Sequence, residues 1–348
     1  MKLSVHLVTW NGAKYVPFLF DSLRKQSFKN WELLVIDNNS TDGMVEAMKK
    51  ELVNFSVQHE LVENKTNLGF AGGHNMAFKK TNGEYILMLN QDMYLTSDCL
   101  EKVVTFLDNN SSLAVVSPRL MKWNFIESDK NLVNSFTNQI DTLGLQVYRN
   151  RRVVEQYTGQ QWEAVKNKLH NLDLLRVFGV SGALPVFRRS ALQEVVFPED
   201  GTVFDESYHA YKEDVDLAYR MAALGLQAGV LLGAVAYHDR SAAGPKQASD
   251  RAAAHNKKGQ SQWVKYHSYK NHLMTLYKNE YWQNVTLDFP WILWYELKKF
   301  VYFLIFDRAV LVGLREVWVL RKILKKKRNF IKHARKLNWR EVRALWSM

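Results

Sequence analysis

The nine residues Val-Ile-Asp-Asn-Asn-Ser-Thr-Asp-Gly at positions 35–43 decide the predicted fold. They close an apolar strand that begins at Trp31 and lead directly into the helical spacing of residues 44–52. Asn, Ser, Thr and Gly favour such a turn, and the first three also cap the helix that follows. A strand, a polar turn and a helix are the repeating unit of a parallel sheet. The stretch therefore predicts an α/β protein.

The same unit recurs on both sides of this stretch, through the first hundred residues. Each apolar strand is followed by residues with helical spacing, as Val16, Leu19, Phe20 and Leu23 show after the first strand. This alternation predicts a mostly parallel sheet with right-handed crossovers. The predicted strands cover residues 3–9, 31–36, 56–61 and 85–89, and the predicted helices cover residues 15–26, 44–52 and 73–81.

Polar clusters stand at the carboxyl ends of three of these strands. They are Thr9-Trp10-Asn11, Asp37-Asn38-Asn39 and Asn90-Gln91-Asp92. In open α/β sheets, ligands bind beyond the carboxyl ends of the strands. Asp37 is either part of a structural turn or an acceptor of hydrogen bonds from a base or ribose. The convergence of the three clusters predicts a ligand site at one edge of the sheet.

The later part of the chain is less regular. Residues 141–148 and 152–156 are expected to pair as a hairpin, and residues 177–187 have strand character. A helix is predicted over 214–224 and a strand over 227–237 that ends on His238. Residues 239–262, rich in Ala, Ser, Lys and Gly, are expected to form a mobile loop. We therefore predict a catalytic domain over 1–262 and a basic helical extension over 263–348.

Residues 67–75, Asn-Leu-Gly-Phe-Ala-Gly-Gly-His-Asn, form a glycine-rich stretch that opens a helix. Glycine allows positive φ angles and close approach of the backbone to a ligand, and a helix amino terminus favours phosphate. An ordinary glycine-rich turn is the alternative. The stretch is not a P-loop, because the Lys-Ser/Thr ending is missing.

Three further positions have a structural and a chemical interpretation each. Asp92 follows a strongly apolar strand, where it either caps a turn or binds a divalent cation. Glu213 and Asp214 begin a helix, where carboxylates stabilise the terminus and where one could serve as a general base. His238 is either a metal ligand or a core histidine.

Taken in order, these segments resemble glycosyltransferase family 2, which has the GT-A fold, and more narrowly its bacterial rhamnosyltransferase-like branch. The resemblance spans residues 3–238, about two thirds of the chain. The segments that carry it are Val8-Thr9-Trp10-Asn11, residues 35–43, residues 67–75, Leu89-Asn90-Gln91-Asp92, Phe204-Asp205-Glu206 and residues 213–217 (Glu-Asp-Val-Asp-Leu).

The resemblance implies an inverting, metal-dependent transfer of a sugar from a nucleoside diphosphate. Asn90 stands where the family's Asp-x-Asp motif has its first Asp. The neutral Asn side chain is a weaker metal ligand than Asp. Residues 179–183 are expected on the acceptor side. The implied roles are nucleoside and donor binding for Thr9, Asn11, Asp37, Asn39, Gly69, Gly72, Asn75, Asn90 and Gln91, Mn²⁺ or Mg²⁺ binding for Asp92 and His238, and catalysis by Asp214 as the base with Glu213 beside it.

The donor and the acceptor follow from the same resemblance. The rhamnosyltransferase-like branch favours dTDP-rhamnose, with UDP-sugars as the other option. The expected acceptor is a glycan or a polyprenyl-diphosphate-linked glycan in cell-surface polysaccharide synthesis. A nucleotidyltransferase is the rival enzyme class, and it would release pyrophosphate instead of a nucleoside diphosphate.

The charge of the chain is concentrated at its carboxyl end. The formal net charge is +12, and residues 262–348 alone hold 18 Lys and Arg against 6 Asp and Glu, an excess of 12. From Trp263 onward aromatic side chains alternate with this charge, and Trp291, Trp294, Tyr295, Phe300 and Phe303 are followed by the basic run Arg321–Arg328. Such a pattern is typical of helices that lie on an anionic lipid surface. It also suits nucleic-acid binding, although we expect no nucleic-acid partner, because unscreened strand-end carboxylates would repel phosphates.

Two further features bear on location. The amino terminus lacks the form of a signal peptide, since its short apolar stretch alternates with polar residues and runs into Asn11-Gly12. The single cysteine, Cys99, excludes a disulfide framework. We therefore expect a cytoplasmic protein that is peripheral on the inner face of the cell membrane.

Overall fold

The structure is a computed structural model that describes residues 1–170, 172–240 and 259–347. The strands are β1 (Leu3–Thr9), β2 (Trp31–Asp37), β3 (Gln58–Glu63), β4 (Tyr85–Leu89), β5 (Met93–Leu95), β6 (Leu113–Trp123), β7 (Phe136–Thr142), β8 (Leu145–Val147), β9 (Val153–Glu155), β10 (Leu174–Val177), β11 (Val186–Arg188) and β12 (Gln227–His238).

The helices alternate with these strands in the first half of the chain and follow one another at its end. They are α1 (Val16–Arg24), α2 (Met44–Leu52), α3 (Gly69–Lys80), α4 (Cys99–Asn109), α5 (Leu132–Ser135), α6 (Trp162–Lys168), α7 (Arg189–Val195), α8 (Glu213–Ala223), α9 (Gln262–Asn279), α10 (Trp282–Phe306), α11 (Val312–Val319), α12 (Arg321–Ala334) and α13 (Trp339–Ala344). Within the described ranges, no helix is both long and apolar enough to cross a bilayer.

One mainly parallel sheet organises the described part of the chain, in the strand order β10-β12-β6-β11-β4-β1-β2-β3. β3, β2, β1 and β4 are all parallel, so their carboxyl ends lie at one edge. β11 is antiparallel to both β4 and β6, and β6 and β12 are again parallel to each other. β12 therefore ends at the same edge as β1, β2 and β4.

The sheet is covered on both faces, which explains why its central strands are almost continuously apolar. All five residues of β4 are buried. Its Leu87 packs into a cluster with α1, α2 and α4 on one face. Its neighbours Ile86 and Met88 pack into a cluster with α3, α7 and α8 on the other face.

The carboxyl-terminal helices are joined to the rest of the molecule by a buried ion cluster. Lys278 Nζ of α9 lies 2.7 Å from Asp205 Oδ2 and 3.0 Å from Asp216 Oδ1 of α8. Lys327 Nζ of α12 lies 3.0 Å from the other oxygen of Asp205. Although burial opposes ionisation, the charges of the two lysines hold the pKa of Asp205 well below its usual range. α9 begins at Gln262 and packs closely against the preceding part, and the division of the chain at residue 262 stays a prediction.

The predicted elements are confirmed in most places. Strands over 3–9, 31–36 and 85–89 are present, and the predicted third strand is found at 58–63. The predicted hairpin is present as the short antiparallel pair of β8 and β9. Of the predicted mobile loop, residues 241–258 lie outside the described residues.

Two predicted elements have different bounds. The single strand over 177–187 is wrong in its middle, because β10 ends at Val177 and β11 begins at Val186. Between them the backbone passes over α8 so closely that a Cβ on Gly179 would lie 2.4 Å from the Ala218 side chain. The helix predicted to begin at residue 73 begins at Gly69, so the glycine-rich stretch forms its first turn.

Candidate functional site

Thr9 and Asp37 lie side by side at the carboxyl ends of β1 and β2. Both are buried, and Thr9 Oγ1 donates a hydrogen bond of 3.1 Å to Asp37 Oδ1. The Ser40 backbone N–H donates to Asp37 Oδ2 at 2.9 Å, and the Ser40 hydroxyl donates to Asp37 Oδ1 at 2.6 Å. Three donors therefore hold the carboxylate in place at the base of the turn, which leaves oxygen lone pairs for a ligand.

Asn11 and Asn39 stand at the exposed rim above this pair. Both have left-handed backbones, with φ angles of 47° and 61°. Asn11 Oδ1 accepts a hydrogen bond of 2.8 Å from the Thr41 backbone N–H, which joins the turns that follow β1 and β2. Non-glycine residues in this conformation are uncommon and collect at binding sites.

Gln91 holds the turn after β1 from the other side. Its Oε1 accepts from the Trp10 backbone N–H at 2.8 Å, and its Nε2 donates to the Trp10 carbonyl at 3.0 Å. The carboxamide thus positions Trp10, whose side chain is 49% exposed at this edge. The sequence interpretation gave Trp10 no role of its own, although a Trp beside a predicted ligand edge is a candidate for contact with the ligand.

The glycine-rich turn of α3 brings that helix close to its neighbours. Gly69 has a φ angle of +70°, and a Cβ there would lie 2.3 Å from the His209 carbonyl oxygen. A Cβ on Gly72 would lie 2.8 Å from Leu68 Cβ. Asn75, two turns further on, is buried and uses its carboxamide to hold residues 203–206. These residues therefore shape the site by packing, and Asn75 does so from inside the protein.

Asp92 and His238 face each other where the β4–β5 turn meets the end of β12. Asp92 Oδ1 lies 3.3 Å from His238 Nε2. The other ring nitrogen, Nδ1, lies 2.9 Å from Asp141 Oδ2 at the end of β7. In many metal sites a carboxylate fixes the tautomer of a metal-binding histidine in this way. Asp141 was missed from the sequence, because nothing in its local pattern marks it.

The donor set fits a divalent cation. A carboxylate oxygen and an imidazole nitrogen face each other, and a carboxylate supports the imidazole from behind. No group of three or more His, Cys, Asp or Glu side chains in the described part of the chain is arranged to hold a metal by itself. The remaining ligands would have to come from a bound diphosphate and water. Asn90 lies next to this pair, with its backbone N–H donating to the Ala183 carbonyl at 3.0 Å.

The charges around His238 are balanced. Burial opposes a charged imidazole, but the attraction of Asp92 and Asp141 outweighs it and raises the pKa of His238 to about 10. Arg240 lies 3.2 Å from Asp141 and 3.0 Å from Glu155. A bound cation would replace the proton on Nε2, since metal ligands must be deprotonated.

Asp214 and Glu213 are neighbours at the start of α8 with different surroundings. Asp214 is partly exposed, and its Oδ2 accepts from the Gly182 backbone N–H at 3.2 Å. The next residue is Ala183, whose carbonyl accepts a hydrogen bond from the Asn90 backbone N–H. The two-residue segment 182–183 therefore connects Asp214 to the strand-end cluster. Glu213 is buried, and its Oε2 has no hydrogen-bond partner among the residues that the structure describes. Burial, and next the charge of Asp214, raise the pKa of Glu213 to about 8.

The segment before Asp214 has a strained backbone. His209, Tyr211 and Lys212 all have positive φ angles between 59° and 70°. His209, at φ 59° and ψ −63°, forms a γ-turn closed by a 2.7 Å hydrogen bond from the Ala210 N–H to the Tyr208 carbonyl. Strain of this kind persists only where the surroundings over-determine it, often at functional sites.

Asn271 of α9 holds this strained segment. Its Nδ2 donates to the carbonyls of Tyr208, Ala210 and Tyr211 at 3.0, 2.8 and 2.7 Å. On the same helix, the Trp263 ring lies 6.0 Å from His209 and 5.6 Å from Tyr211, centroid to centroid. A helix of the predicted extension is therefore part of the wall beside Asp214, which the sequence did not indicate.

Comparisons with known proteins bear on this arrangement. The model of "Glycosyl transferase family 2" matches residues 4–196. The putative glycosyltransferase EpsE of Bacillus subtilis is 32% identical over 120 residues, covering 34% of this chain and 43% of EpsE. The poly(ribitol-phosphate) beta-N-acetylglucosaminyltransferase TarS of Staphylococcus aureus is 33% identical over 115 residues, covering 32% of this chain and 20% of TarS. The chain thus matches less than half the length of either relative.

A solved structure supports the fold. GalNAc-T7, crystallised with UDP, GalNAc and Mn²⁺, superposes with a TM-score of 0.58 at 11% identity, covering 80% of this chain and 48% of that one. The fold is GT-A, as expected from the sequence. The family model covers more than half of the chain and includes the strand ends at Thr9, Asp37 and Asp92, so the chain belongs to glycosyltransferase family 2.

Proposed function

We propose that the chain transfers a sugar from a nucleoside diphosphate to an acceptor hydroxyl, with inversion at the anomeric carbon and with Mn²⁺ or Mg²⁺ at Asp92 and His238. The observation that carries this proposal is the convergence at one sheet edge. The Thr9–Asp37 pair and the Asp92–His238 pair end strands of a single sheet, and residues 182–183 connect Asp214 to them.

In this mechanism Asp214 is the general base. It is the partly exposed carboxylate of the two at the start of α8, and the Gly182 N–H orients it. The acceptor oxygen forms a bond to the anomeric carbon while the bond from that carbon to the diphosphate oxygen breaks. Asp214 takes the hydroxyl proton, and the nucleoside diphosphate leaves with the electron pair. A single displacement of this kind inverts the anomeric configuration.

The donor is bound in two parts. Thr9, Asn11, Asp37 and Asn39 hold the nucleoside, and Asp92 and His238 hold the cation. When bound, the cation neutralises the charge that develops on the leaving diphosphate. The first turn of α3, around Gly69 and Gly72, lies close enough to β1 to form the wall beside the ribose and donor sugar.

The donor class in this proposal is dTDP-rhamnose or a UDP-sugar. The name of TarS describes N-acetylglucosaminyl transfer to poly(ribitol-phosphate), and GalNAc-T7 was crystallised with UDP. These relatives make a UDP-sugar as reasonable a first test as dTDP-rhamnose. The acceptor is a glycan or a polyprenyl-diphosphate-linked glycan, reached by a protein that is peripheral on the inner face of the cell membrane.

Product analysis tests this function. The purified protein is incubated with Mn²⁺ and, in turn, dTDP-rhamnose, UDP-GlcNAc and UDP-glucose, and the slow transfer to water is followed by detection of the released nucleotide. We expect release of a nucleoside diphosphate from one donor. Release of pyrophosphate from a nucleoside triphosphate and a sugar phosphate would instead identify a nucleotidyltransferase.

A further inference from the structure

The polarity of α10 is inverted. In a helix packed on a protein in water, the buried side is apolar and the exposed side is polar. In α10 the buried side includes Asn284, Asp288 and Lys299. The exposed side is almost entirely apolar and aromatic.

The two charged side chains on the buried side, Asp288 and Lys299, are both paired within the protein. Asp288 accepts hydrogen bonds from Arg149, Arg151 and Arg343. Lys299 donates to Glu296 of the same helix. These charges therefore face the protein along the length of the helix.

The exposed side of α10 carries twelve large apolar side chains, and α11 adds three. Monomeric proteins in water rarely expose apolar patches larger than a few hundred Å². Scattered exposed apolar residues would need no explanation, but these are concentrated on two successive helices. They are Trp282, Leu287, Phe289, Trp291, Leu293, Trp294, Leu297, Phe300, Val301, Leu304, Ile305 and Phe306 on α10, and Val312, Trp318 and Val319 on α11. We call these fifteen residues the aromatic face.

We propose that the aromatic face lies in the boundary between headgroups and acyl chains of an anionic lipid bilayer. Polar residues of membrane-embedded helices face the protein and pair with one another, as those of α10 do. Because α10 is packed against the protein from Asn284 to Phe303, only its outer side meets the lipid, and the helix lies along the surface. Trp at several positions suits this boundary, where an apolar ring with a polar N–H is favoured.

The charge of the surroundings favours anionic lipid over a second copy of the chain. Arg308, Arg315 and Lys322 are exposed next to the aromatic face, within a region that has an excess of 12 positive charges. In a dimer through this face these charges would meet their own copies and repel. Near an anionic bilayer, each basic residue instead adds about 1 kcal/mol of attraction.

The proposed contact keeps the anionic lipid surface that the sequence suggested, and it limits the part played by the basic segment. The basic segment 321–328 belongs to α12, which turns Leu324 and Lys327 into the protein. Lys327 is bound to Asp205 and is not available to lipid. The basic residues of α12 that remain exposed supply charge near the surface, and the aromatic face supplies the contact.

The experiment is flotation of the full chain with vesicles of phosphatidylcholine alone and with 30% phosphatidylglycerol. We expect the protein to float with the anionic vesicles, and the double variant Trp294→Glu/Ile305→Glu to lose at least tenfold of this binding. These two side chains are 61% and 63% exposed, so the substitutions leave the core untouched. The matched control is Ile126→Glu/Val133→Glu, at 81% and 75% exposure outside the aromatic face, which should float like the parent.

Three results would overturn the proposal. One is equal flotation of the parent and the Trp294→Glu/Ile305→Glu variant, with both melting at the same temperature. Another is equal flotation with neutral and anionic vesicles, which would remove the role of charge. In the third, the parent does not float with either kind of vesicle and sediments as a dimer, whereas the Trp294→Glu/Ile305→Glu variant sediments as a monomer. That result would assign the aromatic face to contact with a second copy of the chain. Nucleotide release, measured in the same samples, tests the proposed sugar transfer separately.

Discussion

Asp214 and Glu213 differ in surroundings more than in chemistry. Asp214 is partly exposed and accepts a hydrogen bond from the Gly182 N–H, whereas Glu213 is buried and one of its oxygens has no partner in the described part of the chain. A base must reach its proton, so the proposed mechanism gives this role to the partly exposed Asp214. The sequence placed both residues correctly at the start of a helix, but it could not show which carboxylate faces outward.

For Asp214→Asn we expect a loss of nucleotide release of about 10²–10⁴-fold, the usual contribution of a general base. The affinity for the nucleoside diphosphate should stay within threefold of the parent, because Asp214 does not hold the nucleoside. Release and binding are measured on the same preparation. A variant that releases nucleotide at the parent rate would remove Asp214 from the mechanism.

For Glu213→Gln we expect a gain in stability that grows with pH. The pKa of Glu213 is raised in the folded protein, from 4.5 to about 8, mainly by burial and next by Asp214. Between these values the native state binds more protons than the unfolded state, so rising pH destabilises the parent but not the variant. The difference in Tm, variant minus parent, should increase between pH 5 and pH 8. A constant difference over that range would contradict the burial of an ionisable Glu213.

The sequence predicted Asp92, His238 and Asp214 as site residues, and it gave no role to Asp141 or Asn271. The first three end a strand or begin a helix, where local patterns are informative. Asp141 acts on His238 from 97 positions away in the chain, and Asn271 acts on residues about 60 positions away. Contacts of this kind depend on tertiary packing, and the spacing of residues in a single sequence does not predict them.

At the scale of elements, the alternation of strands and helices over the first hundred residues was predictable from periodicity. The predicted strand over 177–187 was not correct in its middle, because the backbone there passes over α8 and makes only isolated pairing contacts, such as the bridge between Gly179 and Leu145. The parallel order of β3, β2, β1 and β4 was implied by that alternation. The position of β11, which is antiparallel between β4 and β6, could not be predicted from the sequence, because no local signal specifies it.

The link between α9 and the strained segment gives a prediction at this scale. Asn271→Ala removes the donor that three carbonyls share, so the γ-turn before Asp214 should relax. We expect a loss of stability of about 1–3 kcal/mol and a fall in kcat of at least tenfold with little change in nucleotide affinity. Denaturant unfolding and steady-state nucleotide release are the measurements.

Asn284→Ala is the matched control. Asn284 is also fully buried and donates to the Trp339 carbonyl. Within the described ranges its Oδ1 has no hydrogen-bond partner, as is true of Asn271. It lies on α10, away from Asp214, so its loss should lower stability while kcat is kept. Equal falls in kcat for both variants would mean that Asn271 acts only through general stability.

At the scale of the whole molecule, the carboxyl-terminal helices and the α/β part share buried charges. The extension over 263–348 stays a prediction, and the sequence did not show that Lys278 would be enclosed between Asp205 and Asp216. Hydrophobic patterns cannot predict such a cluster, because each of its charges would be expected at the surface. The inverted polarity of α10 escapes pattern analysis for the same reason.

Lys278→Ala should therefore be strongly destabilising. It leaves Asp205 and Asp216 with less compensating charge in the interior, and breaking a buried pair in this way costs about 3–5 kcal/mol. The control is Lys336→Ala, which breaks the surface pair with Glu194, where the side chains are 61% and 42% exposed. That change should cost less than about 1 kcal/mol. Similar unfolding free energies for the two variants would contradict the buried cluster.

The central claim is that the sheet edge binds a nucleoside diphosphate through a divalent cation at Asp92 and His238. Calorimetric titration of UDP and of dTDP, each with and without Mn²⁺, tests it most directly, in the parent and in Asp92→Asn. We predict that one of the two nucleotides binds the parent at least tenfold more tightly with Mn²⁺, and that the variant loses this gain. Binding of equal strength with and without Mn²⁺, unchanged in Asp92→Asn, would contradict the metal site, and no binding of either nucleotide would contradict the donor site as a whole.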